Sequence, residues 1–280
     1  MDGLKSAPAS TMEFEEGVQY HLRVKKGDVA RYVLLPGDPG RLEIITSFWE
    51  SSTLVASHRG FMTYKGTYKG VDISAVNTGI GSPSTAIVLE ELLRVGADTF
   101  IRVGTSGGIS PDLRVGDLVI STGAVRLEGT TKQYVVPEYP AVASYEVVLA
   151  LIEAAETLGV RYKVGITATT DSFFTGQGRP GHNNYMQSWM RDLIINLQYS
   201  RVLNFEMEAA TLFVLSSIYG ARAGAVCSIV ADRVKNKIVP EAGVRDAVHV
   251  ANEAVKILSE WDEVKKNRGR EYYYPSISKR

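Results

Sequence analysis

The sequence predicts a single-domain α/β fold with a central mixed, largely parallel sheet flanked by helices on both faces. Short apolar runs alternate along the chain with amphipathic segments, which is typical of strand–helix–strand units. No linker-like change of composition and no internal repeat divides the 280 residues. We therefore expect one domain over residues 18–266, between a loose N-terminal arm at 1–17 and a C-terminal tail at 267–280.

The predicted strands are short segments, most of them rich in apolar residues, and several end in glycine-rich or polar turns. In chain order the strands cover residues 32–35 before a turn at 36–40, 71–77 before a turn at 78–83, 99–103 before a loop at 104–108, 117–122, 163–170 before a loop at 171–179, and 221–230.

The predicted helices have apolar residues at helical spacing, as Ile87, Leu89, Leu92 and Leu93 do in the segment that ends before Gly96. In chain order these helices cover residues 41–48, 84–94, 146–158, 185–198, 208–219 and 244–265.

Composition argues against several classes of protein. Lys plus Arg and Asp plus Glu both number 31, whereas a nucleic-acid binder usually carries a basic excess. No run approaches the roughly 18 to 20 apolar residues that span a bilayer, and the first residues lack the apolar core of a secretory signal. A single cysteine, Cys227, lies in an apolar run and is expected to be buried and inert. We expect a cytoplasmic protein with no nucleic-acid or membrane partner.

Two segments at the ends of predicted strands are candidates for binding an anion. In residues 36–41, the glycines expose backbone N–H groups and Arg41 adds charged donors, although a plain tight turn is the alternative. Arg102 interrupts an apolar run, so it requires a buried carboxylate or a bound anion. Thr105 adds a hydroxyl group nearby. The turn at 79–84 lacks the third glycine of a dinucleotide-binding loop.

The loop at 171–179 combines an aromatic face, an amide and a guanidinium in Phe173, Gln177 and Arg179. A planar heterocycle could stack on the ring while the two polar groups bind its edge, as suits a pyrimidine. An ordinary glycine-bounded turn is the alternative. Further along, Glu206 and Glu208 flank Met207 where a short strand meets a helix. We expect one glutamate to bind sugar hydroxyls and the other to be an ordinary helix N-terminal acid.

The chain has four histidines, His21, His58, His182 and His249, and none stands in a metal-binding spacing. With one cysteine, a zinc site is not expected. No G-x-S-x-G nucleophile motif is present.

Five motifs occur together over roughly residues 20 to 260: P-G-D-P-x-R, T-G-I-G-x-P-S, R-x-G-T-S-G, F-x-x-G-Q-x-R and E-M-E-A-A-T. This set resembles the nucleoside phosphorylase-I family, and the loop from Phe173 to Arg179 is most similar to its uridine phosphorylase branch. The resemblance implies that a nucleoside and phosphate are converted to a free base and ribose 1-phosphate, without an organic cofactor. It also implies a homo-oligomer with shared active sites, usually a hexamer built as a trimer of dimers.

The resemblance also assigns roles to individual residues. It implies a phosphate site at Gly37, Arg41, Arg102, Thr105 and the neighbouring subunit's Arg59; a ribose site at Met207, Glu208 and the neighbouring subunit's His21; and a base site at Phe173, Gln177 and Arg179. Catalysis would depend on Arg179, Gln177 and Arg102.

Two residues depart from the pattern of uridine phosphorylases. Asp232 stands where the purine branch has an acid that protonates the base, so a purine nucleoside or methylthioadenosine phosphorylase is an alternative. Gly60 replaces a glutamate that helps to hold a monovalent cation between bacterial subunits, so the resemblance does not support that site here. A hydrolase of the same fold and a non-catalytic nucleoside-binding protein also remain alternatives.

Overall fold

The computed structural model describes residues 6–277, except for the side chain of Glu16. Residues 1–5 of the predicted arm and 278–280 of the predicted tail lie outside this range. The strands are β1 Tyr32–Pro36, β2 Ser51–His58, β3 Phe61–Tyr68, β4 Val71–Val76, β5 Thr99–Gly108, β6 Leu118–Leu127, β7 Ala141–Val142, β8 Tyr162–Thr170, β9 Val202–Glu206, β10 Arg222–Asp232 and β11 Lys237–Ile238. The helices are α1 Arg41–Thr46, α2 Ser82–Arg94, α3 Tyr145–Leu158, α4 Ser188–Arg191, α5 Leu193–Tyr199, α6 Ala209–Ile218 and α7 Val244–Arg268.

The predicted α/β fold is confirmed, and its sheet is mixed. The order is β11-β10-β6-β8-β9-β5-β1-β4-β3-β2, and β10 also pairs with β5. Strands β5, β10, β6, β8 and β9 therefore close into a ring, from which β1, β4, β3 and β2 extend as an open sheet. Pairings of β1 with β4 and β5, of β10 with β5, and of β8 with β6 and β9 are parallel.

Helices cover both faces of the sheet, as predicted. One apolar cluster includes residues of α1, α3 and α7, with Leu42, Leu151 and Val255 among its buried members. A second includes residues of α2 and α6, with Leu89 and Phe213 buried at its centre. These two layers fix the sheet between them, so the loops at the strand ends are held on a rigid base.

Some boundaries differ from the prediction. The expected loop at 104–108 is the second half of β5, because pairing with β10 continues as far as Gly108. The half-exposed hairpin of β2 and β3 was not predicted, because its burial alternates irregularly and gives no apolar run. The expected helix at 185–198 is the two short helices α4 and α5.

The glycine-rich turns that follow β1 and β4 approach each other closely at one edge of the sheet. The N–H of Thr78 donates to the carbonyl of Pro36 at 2.8 Å, since β1 and β4 are parallel neighbours whose carboxyl ends lie side by side. A β-carbon on Gly37 would lie 3.1 Å from the carbonyl oxygen of Gly79. Ligands of open α/β sheets bind at this edge.

Candidate active site

A cavity of about 420 Å³ opens at the carboxyl ends of these strands. Most of the predicted site residues line it, namely Gly37, Arg41, Arg102, Thr105, Phe173, Gln177, Arg179, Met207 and Glu208. Four separate loops and strand ends supply them, so the fold brings together residues that are distant in sequence. The predicted residues His21, Arg59 and Asp232 do not line this cavity.

Arg41 is a buried cation at the start of α1. Its Nη1 donates to the carbonyl of Val103 at 3.0 Å, while Nε is buried and has no hydrogen-bond partner among the described residues. Within residues 6–277 no carboxylate forms an ion pair with it. Burial lowers the pKa of Arg41, and the nearby charge of Arg102 lowers it further. A buried cation in this state is complementary to an anion from solution.

Arg102 lies on β5 and already has carboxylate partners. Its Nε is 2.8 Å from Oε2 of Glu206, and its Nη2 is 2.5 Å from Oε2 of Glu208. Burial alone would lower the pKa of Arg102, but the carboxylates of Glu208 and Glu206 raise it above the ordinary value. The sequence left open a buried ion pair or an anion site; the structure shows the ion pair, on the wall of the cavity.

The two glutamates of the E-M-E segment have different surroundings. Glu206 ends β9 and is saturated, because it also accepts the N–H groups of Glu208 and Ala209 and the hydroxyl of Thr169. It therefore acts as the N-terminal acid of α6. Glu208 also accepts the N–H of Gly81, at 2.6 Å. Burial raises the pKa of Glu208, in opposition to Arg102.

The loop after β8 presents the predicted amide and guanidinium as one unit. Nη1 of Arg179 donates to Oε1 of Gln177 and to the carbonyl of Phe173, both at 2.6 Å. The guanidinium carbon of Arg179 lies 4.0 Å from the centroid of the Phe173 ring, in a cation–π contact. Oε1 of Gln177 keeps a second lone pair besides the one that accepts from Arg179, so this pair can offer a ligand one acceptor as well as N–H donors.

Arg233 supports this loop and was not predicted from the sequence. Its Nη1 donates to the carbonyl of Gln177 at 2.9 Å, and its backbone N–H donates to Gly108 at 2.8 Å. Burial and the positive charge of Arg233 lower the pKa of Arg179 to about 10. Arg233 follows directly after β10, but its position in the sequence gives no sign of the carbonyl groups that it binds.

The carboxylate of Asp232 binds residues of the turn that follows it. Its Oδ1 accepts the backbone N–H groups of Val234 and Lys235, at 3.0 and 2.8 Å, and the ammonium of Lys235 lies 3.3 Å from Oδ2. Its neighbours Val230 and Ala231 line the cavity, but Asp232 itself does not. This environment is that of a turn-stabilising carboxylate.

His21 and Arg59 lie close to one another, away from the cavity of their own chain. Nη1 of Arg59 donates to the hydroxyl of Tyr20 at 3.2 Å, and the ring of Tyr20 meets that of His21 edge-on. Arg59 is at the tip of the β2–β3 hairpin, where φ is 53° for Arg59 and 84° for Gly60. Such a two-residue turn favours glycine at its second position. The positive φ of this turn is a local reason for glycine at position 60.

Two further observations concern the part of the chain from residue 6 to 277. It contains no group of three or more His, Cys, Asp or Glu side chains arranged to hold a metal ion. None of its helices combines the length and the apolar character needed to cross a bilayer.

Comparison with known proteins adds independent information. A family model described as the phosphorylase superfamily matches residues 31–260. The uridine phosphorylase of Thermococcus kodakarensis is 58% identical over 98% of both chains. That of Escherichia coli is 38% identical over 86% of this chain and 95% of the relative. A guanosine phosphorylase of Halorubrum lacusprofundi is 41% identical over 75% of this chain and 82% of the relative.

Proposed function

The chain belongs to the phosphorylase superfamily, and we propose that it catalyses the phosphorolysis of uridine to uracil and ribose 1-phosphate. Relatives named uridine phosphorylase support this assignment, and one of them is identical at 58% of positions over almost the full length. The observation that carries the proposal is the buried guanidinium of Arg41, which has no carboxylate partner among the residues that the structure describes and which lines a cavity with Gln177 and Arg179.

The positive charges at one end of the cavity support a phosphate site there. Arg41 and Arg102 provide two guanidinium groups, with the hydroxyl of Thr105 and the backbone at Gly37 beside them. The positive charge of Arg102 is paired with two glutamates, whereas no carboxylate in the described part of the chain pairs with Arg41. A phosphate dianion there would supply the missing counter-charge and accept the unpaired Nε–H of Arg41.

The ribose is proposed to lie between the two ends, against Met207 and Glu208. A carboxylate accepts hydrogen bonds from two adjacent hydroxyls, which suits the 2′ and 3′ positions of a ribose. Because Glu208 is also bound to Arg102, the sugar and the phosphate are held by neighbouring members of one ion-paired cluster. This fixes phosphate beside C1′, where it acts as the nucleophile.

The base end stabilises the leaving group. Breaking the glycosidic bond places positive charge on the sugar and negative charge on the uracil. Phosphate stabilises the first, and the N–H donors of Gln177 and Arg179 stabilise the second. Phe173, whose ring is half exposed, offers an apolar surface at the same end. Protein residues thus bind and orient both reactants, and no covalent enzyme intermediate is required.

The complete site is proposed to need two chains. His21 and Arg59 lie outside the cavity of their own chain, yet both are held by contacts with Tyr20 and form one cluster. The same cluster of a neighbouring subunit would bring a third arginine to the phosphate and an imidazole to the ribose. We propose a trimer of dimers in which each dimer shares its sites, acting in the cytoplasm.

Phosphate dependence tests the assignment. Purified enzyme is incubated with uridine in phosphate-free buffer and again with added phosphate, and uracil and ribose 1-phosphate are quantified. Product formation should require phosphate, and both products should appear in equal amounts. Uracil release at the same rate without phosphate, together with free ribose, would instead identify a hydrolase.

A purine nucleoside phosphorylase is the second candidate, favoured by the relative named guanosine phosphorylase. Asp232 is the residue that would protonate a purine, but its oxygens are bound to Val234 and Lys235. Phosphate-dependent assays with inosine, guanosine and methylthioadenosine separate the two candidates.

A further inference from the structure

Glu91 is a buried carboxylate on α2 that lies outside the cavity described above. It is 4% exposed, and its oxygens bind one short segment of the chain. Oε1 accepts the backbone N–H of His21 at 2.8 Å, and Oε2 accepts that of Leu22 at 2.7 Å. Oε1 also lies 2.7 Å from Nδ1 of the His21 ring. One carboxylate thus fixes both the backbone and the side chain of His21.

These contacts select the orientation and the tautomer of the imidazole. An ionised carboxylate only accepts hydrogen bonds, so Nδ1 of His21 must carry a proton, and Nε2 of the neutral ring is an acceptor. The ring is also held edge-on against Tyr20, with centroids 4.8 Å apart. The Nδ1 of His58 binds the carbonyl oxygen of His21 at 3.0 Å, so the backbone is fixed from a second side.

The other ring nitrogen of His21 is the one left for a ligand. Nε2 has no hydrogen-bond partner within the described range, and the side chain is 24% exposed. His21 lines a surface cavity of about 350 Å³, together with residues that include Met12, Pro83 and Tyr134. The imidazole therefore has one nitrogen bound to a buried carboxylate and the other near the molecular surface.

We propose that Glu91 is a positioning residue, which holds His21 so that Nε2 accepts the hydrogen bond of a nucleoside 5′-hydroxyl in the neighbouring subunit. The inference rests on the proposed function, and it extends that function by one residue that touches neither substrate. In this proposal Glu91 affects only the binding of the 5′-hydroxyl group, through His21. Loss of Glu91 should therefore affect substrates with that hydroxyl more than those without it.

The test compares uridine with 5′-deoxyuridine, which lacks only this hydroxyl. We expect the wild-type enzyme to favour uridine in kcat/KM by about two- to tenfold, the worth of one hydrogen bond. In Glu91→Gln the preference should disappear, because uridine cleavage falls further than 5′-deoxyuridine cleavage. His21→Ala should also lose it, and Glu91→Gln added to His21→Ala should not change the ratio again.

Glu90→Gln is the matched control, since Glu90 is the adjacent residue on α2 but binds the hydroxyl of Tyr219 instead. It should keep the wild-type ratio. Should Glu91→Gln fold poorly, Glu91→Asp is the alternative. Its shorter side chain keeps the charge but places it farther from the His21 ring, so the same loss of preference for uridine is expected. Cleavage of 5′-deoxyuridine reports folded enzyme in every variant.

Two results would overturn the inference and leave the proposed function intact. One is an equal fall for both substrates in the Glu91 variants, which is the result of a structural role alone. The other is a wild-type enzyme that cleaves both equally well, since His21 would then not bind the hydroxyl. A wild-type enzyme that does not cleave uridine would overturn both proposals.

Discussion

Arg41 and Arg102 are both buried arginines on the wall of one cavity, but removing each should have a different effect. Arg41→Ala removes a charge that no carboxylate within residues 6–277 pairs with, so we expect folding to be little affected. The loss of one charge-assisted contact to phosphate should lower kcat/KM by about ten- to 150-fold, largely through KM for phosphate. Arg245→Ala, at an exposed position on α7, is the control.

Arg102→Ala should lose activity and stability together. It leaves the carboxylates of Glu206 and Glu208 buried without their cation, and breaking such a pair costs about 3 to 5 kcal/mol. Urea unfolding of the two alanine variants measures the contrast. Equal stability of Arg41→Ala and Arg102→Ala would contradict the assigned charge partners.

Gln177 should decide the choice of base. Its amide is buried and bound to Arg179, and a purine that leaves these donors unpaired would lose about 1 to 3 kcal/mol. We expect Gln177→Ala to depress uridine cleavage far more than any cleavage of inosine, as measured by kcat/KM for each substrate. A wild-type enzyme with a higher kcat/KM for inosine would remove the pyrimidine assignment and leave the phosphorylase assignment standing.

On strand β5, Gly104 leaves the space that the side chain of Arg102 needs. A β-carbon at Gly104 would lie 2.6 Å from Sγ of Cys227 and 2.8 Å from Nη2 of Arg102. The guanidinium of Arg102 therefore passes over Gly104 on its way to Glu206 and Glu208. Alanine at this position requires both the thiol and the guanidinium to move.

Gly104→Ala should consequently lower both stability and activity, and the two losses can be separated. Adding Cys227→Ala removes the closer contact, so part of the thermal stability should return. Activity should not return, because the new methyl group still displaces Arg102. Cys227→Ala alone is the control, since the buried thiol forms no disulfide. Recovery of full activity in the double variant would show that the thiol contact alone was responsible.

The sequence predicted those elements whose physics is local. A buried parallel strand such as β1 is a continuous apolar run, and the turns after β1 and β4 contain glycine and proline at the required places. The closure of β5, β10, β6, β8 and β9 into a ring depends on pairings between distant strands, which no local pattern specifies. The β2–β3 hairpin was missed for a different reason, since its irregular burial gives neither an apolar run nor a clear period.

The same distinction applies to the candidate site. Phe173, Gln177 and Arg179 are close in sequence, so their union in one loop could be predicted. The partners of Arg102 lie more than 100 residues away on β9 and at the start of α6, and the sequence could state only that a carboxylate or an anion was needed. Arg233 was missed because its ligands are backbone carbonyls, which have no sequence signature.

At the scale of the whole molecule, a network of charges holds the edge of the sheet opposite the cavity. Asp262 on α7 binds Nη2 of Arg222 at 2.7 Å, the hydroxyl of Tyr32 at 2.6 Å and the ammonium of Lys265 at 3.1 Å. Glu146 on α3 binds the same two cations. The network thus joins the first residues of β1 and β10 to the two helices that cover that face.

This network predicts how stability depends on pH. Burial acts to raise the pKa of Asp262, but hydrogen bonds from Arg222 and Tyr32 outweigh it and lower the pKa to about 2. A lowered pKa in the folded state contributes stability that is fully present above the unfolded value of 3.8 and is lost as the pH falls toward 2. The contribution of Asp262 is roughly 2 kcal/mol.

Asp262→Asn should therefore lower the free energy of unfolding at neutral pH and flatten its decline between about pH 4 and pH 2. Urea unfolding at several pH values measures both effects. Glu260→Gln is a matched control on the same helix, because Glu260 is 58% exposed and pairs only with Lys256 within the described residues. An acid-induced decline of equal slope in Asp262→Asn and the wild type would contradict the assignment.

The charge of Arg41, for which residues 6–277 supply no carboxylate partner, has a consequence for the molecule in solution. A ligand that binds only the folded state shifts the folding equilibrium by mass action, by about 2.7 kcal/mol at a concentration of 100 times its dissociation constant. If the missing counter-charge of Arg41 comes from phosphate, the co-substrate is also a folding ligand, and the protein is least stable where phosphate is scarce. Purification in a phosphate-free buffer would then remove part of the protein's own stability, before any nucleoside is added.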